Sequence, residues 1–155
     1  MPSLQIGDRA PDFSATAHNG QRIALSDYRG QRGLVLFFYP KDGTSVCTKE
    51  ACAFRDAYEK FAEAGADVVG VSSDTDEKHR EFAAQHQLSF PLISDADGAL
   101  RKAFDVRKTL GLIPGRVTYV IDKDGIIRHI YSALLASDEH VRQALQALGR
   151  TGTES

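Results

Sequence analysis

Leu34 to Tyr39 is a run of six consecutive apolar residues that ends at Pro40. An unbroken apolar run of this length reads as a strand buried on both faces. Such a strand needs cover on each side, which restricts the chain to a layered α/β arrangement. Asp67 to Val71 reads as a second buried strand, and the segment between the two reads as a helix from about Ser45 to Ala64, stopped by Gly65. Further on, Asp74 to His86 reads as a helix with Phe82 and Ala83 inward, Phe90 to Ile93 as a short strand, and Asp97 to Phe104 as a short helix. Val117 to Ile121 and Ile126 to Tyr131 bracket Asp122-Lys-Asp-Gly125 as an antiparallel hairpin. An earlier hairpin is marked by Asn19-Gly20, between Phe13 to Ala17 and Gln21 to Leu25. Ser137 to Leu148 closes as a helix, with Ser137 as N-cap and Val141, Leu145 and Leu148 on one face. The expected fold class is therefore α/β: a central mixed β-sheet flanked by helices, with an N-terminal β-hairpin.

The 155 residues suggest one domain, over 1–150, followed by a loose polar tail at 151–155. A net charge of −2, with acids and bases interspersed, gives no basic stripe for nucleic acid. The longest apolar run is far short of the roughly 20 residues that span a bilayer, so no membrane role is expected. The N-terminal residues carry no apolar signal core, and the expected location is cytoplasmic. In a reducing compartment, cysteines are more often reactive, metal-binding or plain structural thiols than permanent crosslinks.

The chain has two cysteines, Cys47 and Cys52. Cys47 falls where a loop enters the helix, with Ser45 as candidate N-cap. A cysteine there meets unpaired backbone N–H groups and the positive end of the helix dipole, both of which favour the thiolate. Stepping 100° per residue places Ala51, Phe54, Tyr58, Phe61 and Ala62 within about 60° of Cys47, on an apolar stripe. Cys52 lies about 140° away, among Lys49, Asp56, Glu59, Lys60 and Glu63. In an intact helix the two Cα atoms sit roughly 8–9 Å apart, beyond the roughly 7 Å that a disulfide tolerates. A bond between them requires the first turn to unwind. On the residues alone a second reading stays open: a buried cysteine is most often a small core hydrophobe, and an exposed one is often incidental.

Pro40-Lys-Asp-Gly-Thr44-Ser-Val-Cys47 resembles the peroxiredoxin pattern Pro-x-x-x-Thr/Ser-x-x-Cys, and Cys47-Thr-Lys-Glu50-Ala-Cys52-x-Phe54-Arg55-Asp56 resembles the bacterioferritin-comigratory, or Q-type, branch. Gly7 to Phe13, Val68 to Asp74 and Arg116 to Asp122 are similar to the same family, so the resemblance runs from about residue 4 to residue 150. It implies a thioredoxin-like fold and thiol-dependent reduction of hydrogen peroxide and organic hydroperoxides, with no cofactor and no metal. It also implies roles: Cys47 as peroxidatic cysteine, Cys52 as resolving cysteine, Thr44 with its hydroxyl on the peroxide, Pro40 shielding the site, and Arg116 supplying a fixed cation. A thioredoxin-like or glutaredoxin-like reductant would return the electrons. Because the cysteine pair lies within one chain, a monomer is expected. The branch commonly carries Pro-Gly where this chain has Ser45-Val46, which bears on rate and peroxide preference rather than on reaction type.

Taken singly, the same residues have plain structural readings. Thr44 would be a loop or capping residue, Arg116 a solvated strand-end cation, Pro40 a strand terminator and Glu50 a first-turn acid on the helix dipole. Three rival functions are weighed. A thioredoxin-type oxidoreductase would carry Cys-x-x-Cys rather than the spacing seen here. A zinc site would need a second ligand pair, whereas His18, His79, His86, His129 and His140 are scattered and none is near either cysteine in sequence, with His79 and His86 reading as half-buried flank residues. A redox-silent binding module would leave Cys47 slow toward peroxide and alkylating reagents.

Overall fold

The computed structural model describes residues 4–40, 45–104, 106, 116–132 and 137–153. A short antiparallel hairpin, β1 (Ser14–Thr16) and β2 (Arg22–Ala24), opens the fold and leads into a single helical turn, α1 (Leu25–Tyr28). The main sheet holds β3 (Gly33–Phe38), β4 (Ala66–Ser72), β5 (Leu92–Ser94), β6 (Val117–Ile121) and β7 (Ile127–Ser132). Their spatial order is β5-β4-β3-β6-β7, with β3, β4 and β5 parallel to one another and β6 and β7 antiparallel. The helices are α2 (Ser45–Asp56), α3 (Tyr58–Glu63), α4 (Asp76–His86), α5 (Ala99–Ala103) and α6 (Ser137–Thr153). The expected mixed sheet, its helical cover and the N-terminal hairpin are all present.

Every residue of β3 is buried, as its apolar run requires. Alternation sends Val35, Phe37 and Tyr39 to one face and Leu34, Leu36 and Phe38 to the other. The first face packs against Ala51, Phe54, Phe61, Phe82 and Val141, which come from α2, α3, α4 and α6. The second meets Ile23 and Leu25 from the hairpin side, together with Leu100 and Phe104 around α5. Phe37 stacks on Phe54, with ring centroids 4.4 Å apart, and so fixes α2 on the sheet. Its ring lies over Gly70, where a Cβ would sit 2.8 Å from both Phe37 Cζ and Leu92 Cδ2.

The helix expected from Ser45 to Ala64 is divided at Ala57, whose φ of −93° and ψ of 3° leave the helical region. Hydrogen bonds from Ala57 N to Ala53 O and from Phe61 N to Ala57 O carry the chain across the joint. The change of phase turns Ala62 out to solvent, although the unbroken wheel places it on the apolar stripe. Gly65 ends the segment with φ +80°, a conformation that side chains with a Cβ resist. The last helix runs past Leu148 to Thr153, into the segment read as a tail. Among the described residues, no helix is long and apolar enough to cross a membrane.

Candidate active site

Antiparallel pairing of β3 with β6 places Phe38 opposite Val117. The C-terminal end of β3, which continues into Tyr39 and half-buried Pro40, therefore lies beside Arg116 at the start of β6. The C-terminal ends of β4 and β5 reach the same edge, because Phe38 pairs with Val71 and Ser72 with Ser94. In open α/β sheets this edge is where ligands bind. Arg101 braces it from α5, donating from Nη2 to Tyr39 O at 3.1 Å while Asp95 accepts from the amides of Leu100 and Arg101.

Alternation along β6 sends Val120 to the face covered by α2 and α6, and Arg116 and Thr118 share its parity. Arg116 is thus buried, with only 3% of its surface exposed, and is no solvated strand-end cation. Its Nη1 donates to Glu50 Oε1 at 2.6 Å. Glu50 belongs to the second turn of α2 and is fully buried. It is therefore not the first-turn, dipole-facing acid expected from sequence. Burial pushes its carboxyl up to about 7, and the Arg116 charge and hydrogen bond hold back part of that rise.

The other oxygen, Glu50 Oε2, is buried without a hydrogen-bond partner among the described residues. It sits 3.6 Å from His140 Nδ1 on α6. That same nitrogen lies 2.7 Å from Thr118 Oγ1, and the His140 ring meets Tyr131 edge to face at 4.7 Å. His140 is completely buried. Sequence reading missed Glu50 and His140 for different reasons. The helical wheel carries the signal for Glu50, which falls about 60° from Cys47 on the apolar stripe. For His140 no local signal exists, since it reaches Glu50 only through the packing of α6 on α2.

Of the residues singled out from sequence, Cys47 and Cys52 both lie on α2, with Cys47 one turn before Glu50. The Cys47 side chain and Thr44 lie outside the described residues, as does the Ser45 side chain expected to cap the helix. Cys52 is half-buried and its thiol is free. His79 is fully buried rather than half-buried, with Nε2 3.1 Å from Ile93 O. Among the described residues, no group of His, Cys, Asp or Glu is arranged to hold a metal ion. The arrangement offers a permanent cation, desolvated and held by a carboxylate, beside the helix that begins just ahead of Cys47.

The AhpC/TSA family matches residues 6–130. The chain is 43% identical over 143 residues to the chloroplastic peroxiredoxin Q of Oryza sativa subsp. japonica, covering 92% of this chain and 65% of the rice protein's length. The crystal structure of peroxidoxin BcpB from Mycobacterium tuberculosis superposes with a TM-score of 0.86 at 38% identity, over 95% of this chain and 97% of that one. A Xanthomonas campestris bacterioferritin comigratory protein superposes with a TM-score of 0.77 at 31% identity, over 87% and 90% of the two chains. The chain belongs to the AhpC/TSA family and, within it, to the peroxiredoxin Q, or bacterioferritin-comigratory, branch. Its mixed sheet and flanking helices are accordingly a thioredoxin-like fold.

Proposed function

We propose that this protein is a thiol peroxidase that reduces hydrogen peroxide and organic hydroperoxides through Cys47. The observation that carries this reading is the buried Arg116–Glu50 pair, set on the helix whose first turn contains Cys47. Membership of the peroxiredoxin family supports it. The Xanthomonas campestris relative is itself described by its alkyl peroxide reduction activity.

The Cys47 thiolate attacks one peroxide oxygen in line. The O–O bond breaks as the S–O bond forms, and the departing oxygen leaves as hydroxide or alkoxide and takes up a proton. Sulfur is oxidised to a sulfenic acid, and the peroxide is reduced to water or an alcohol. Negative charge moves from sulfur to oxygen during this step. Arg116 offers a planar, always-charged fork to that charge, and the backbone N–H groups at the start of α2 add fixed dipoles. Thr44 sets its hydroxyl on the peroxide, and Pro40 keeps water from the sulfur.

Cys52 then condenses with the sulfenic acid, releasing water and forming a disulfide. Both cysteines lie within α2, so the bond requires the first turn of that helix to open. A thioredoxin-like or glutaredoxin-like dithiol reduces the disulfide by exchange and is itself oxidised. The cycle closes within one chain, and we propose a monomer working in a reducing, cytoplasmic setting. Intact mass spectrometry after one equivalent of hydrogen peroxide tests the scheme. Loss of two hydrogens with a mapped Cys47–Cys52 crosslink is the expected result. Peroxide turnover retained in Cys47→Ser would overturn it.

A further inference from the structure

Glu50 Oε2, His140 Nδ1 and Thr118 Oγ1 form a short buried chain that the peroxidase scheme leaves unused. Oε2 has no hydrogen-bond partner among the described residues, and His140 Nδ1 is 3.6 Å away. Both side chains are completely shielded from solvent. At that distance, beyond hydrogen-bond reach, the two groups act on each other through charge: an ionised Oε2 favours a charged imidazole, and a protonated one favours a neutral imidazole. The Thr118 hydroxyl, 2.7 Å from the same nitrogen, suits either form. It donates to an unprotonated Nδ1 and accepts from a protonated one.

We propose that His140 is a positioning residue whose charge is coupled to that of Glu50 and so sets how much of the Arg116 charge remains directed at the peroxide. This rests on the peroxidase reading of the site. With the proton on Glu50, Arg116 faces a neutral acid, and its charge acts on the sulfur and on the oxygen that leaves. With the proton on His140, Arg116 faces a full carboxylate at 2.6 Å that offsets much of its field. Charged and titratable groups among the described residues lie around this pair on several elements. Glu50 comes from α2, Arg116 from the start of β6 and Tyr131 from β7, whose ring meets His140. On α6 itself, Glu139 is paired with Arg142 at the surface. His129 on β7 is 2.7 Å from Gln143 Oε1. The elevated carboxyl of Glu50 agrees with a proton held in this chain near neutrality.

The test has two arms. In the first, nitrogen-15 NMR follows the His140 imidazole of the intact wild type against pH. A two-step curve is expected, as for coupled groups, with its midpoint displaced by about one pH unit in Glu50→Gln. A single-step curve in the wild type overturns the proposal, as does a midpoint that Glu50→Gln leaves in place. In the second, the rate of Cys47 oxidation by hydrogen peroxide is measured from pH 5 to 9 in wild type and in His140→Gln. The variant should lose one inflection of the profile and change the rate at neutral pH about fivefold, while its melting curve confirms folding. Identical profile shapes overturn the positioning role even if the NMR curve is biphasic. Should the wild type consume no peroxide, the peroxidase reading fails instead, and the NMR arm still reports on the coupled pair.

Discussion

Arg116 Nη1 donates to Glu50 Oε1 at 2.6 Å, joining the first residue ahead of β6 to the second turn of α2 across 66 positions of sequence. The pair lies against the sheet face that α2 and α6 cover, and neither side chain is more than 2% exposed. An ion pair in such a place contributes little net stability, because removing two charges from water costs about as much as their attraction returns. Its consequence is positional: the guanidinium is fixed beside the helix that carries both cysteines.

Replacing Arg116 with Ala removes that fixed cation. Peroxide reduction should slow by about a hundredfold, the scale of losing one preorganised donor from an oxyanion site. The pH at which Cys47 becomes reactive toward iodoacetamide should also rise, since a positive neighbour no longer favours the thiolate. An unchanged reactivity-versus-pH curve would remove Arg116 from the site.

Glu50→Gln keeps the shape of the side chain but cannot ionise. Because folded Glu50 already holds its proton up to about 7, the variant should differ from the wild type by no more than about 1 kcal/mol at pH 5, read from urea unfolding. The pH dependence follows from the raised carboxyl. The folded state holds the proton up to about 7, while the unfolded chain releases it near 4.5. This group's favourable contribution is therefore complete below the lower value and declines as pH rises through the window. The variant should lack that decline. Parallel stability curves for the two proteins would show that the Glu50 carboxyl does not titrate as described.

Cys52→Ser should react once with hydrogen peroxide at close to the wild-type rate and then stall. Dimedone labelling of Cys47 should trap the sulfenic acid in high yield. Normal cycling of this variant with a dithiol reductant would mean that another thiol resolves the intermediate.

Phe54→Ala removes the ring that stacks on Phe37 from a site with no exposure. A loss of about 3–4 kcal/mol is expected in chemical denaturation, from lost transfer energy and the cavity left behind. Because Phe54 seats α2, the first-turn opening needed for resolution should become faster, seen as quicker disulfide formation after the sulfenic acid. An unaltered condensation rate would separate α2 seating from resolution.

Gly70→Ala introduces a Cβ 2.8 Å from both Phe37 and Leu92. Overpacking of this kind costs about 1–3 kcal/mol, and the melting temperature should fall accordingly. A neutral result would show that Phe37 can tilt away without disturbing its stack on Phe54.

Local chemistry made much of this fold legible. The run from Leu34 to Tyr39 reads as a strand covered on both faces, and β3 is buried along its whole length. Asn19-Gly20 and the Asp122 to Gly125 turn marked two hairpins that pair where expected. Gly65 stopped the helical segment with a positive φ. The spacing from Pro40 to Cys47 and Cys52 identified the family without any structure. What sequence left open was which charged residues the packing would desolvate. Read singly, Glu50 was a helix-end acid and Arg116 a surface cation, because charge predicts exposure until a partner is visible. Register decided otherwise. The alternation of β6 turns Arg116 and Thr118 to the helical face, and the packing of α6 on α2 brings His140 to Glu50. Those contacts depend on strand pairing and helix docking between segments far apart in the chain, and no short-range pattern encodes them.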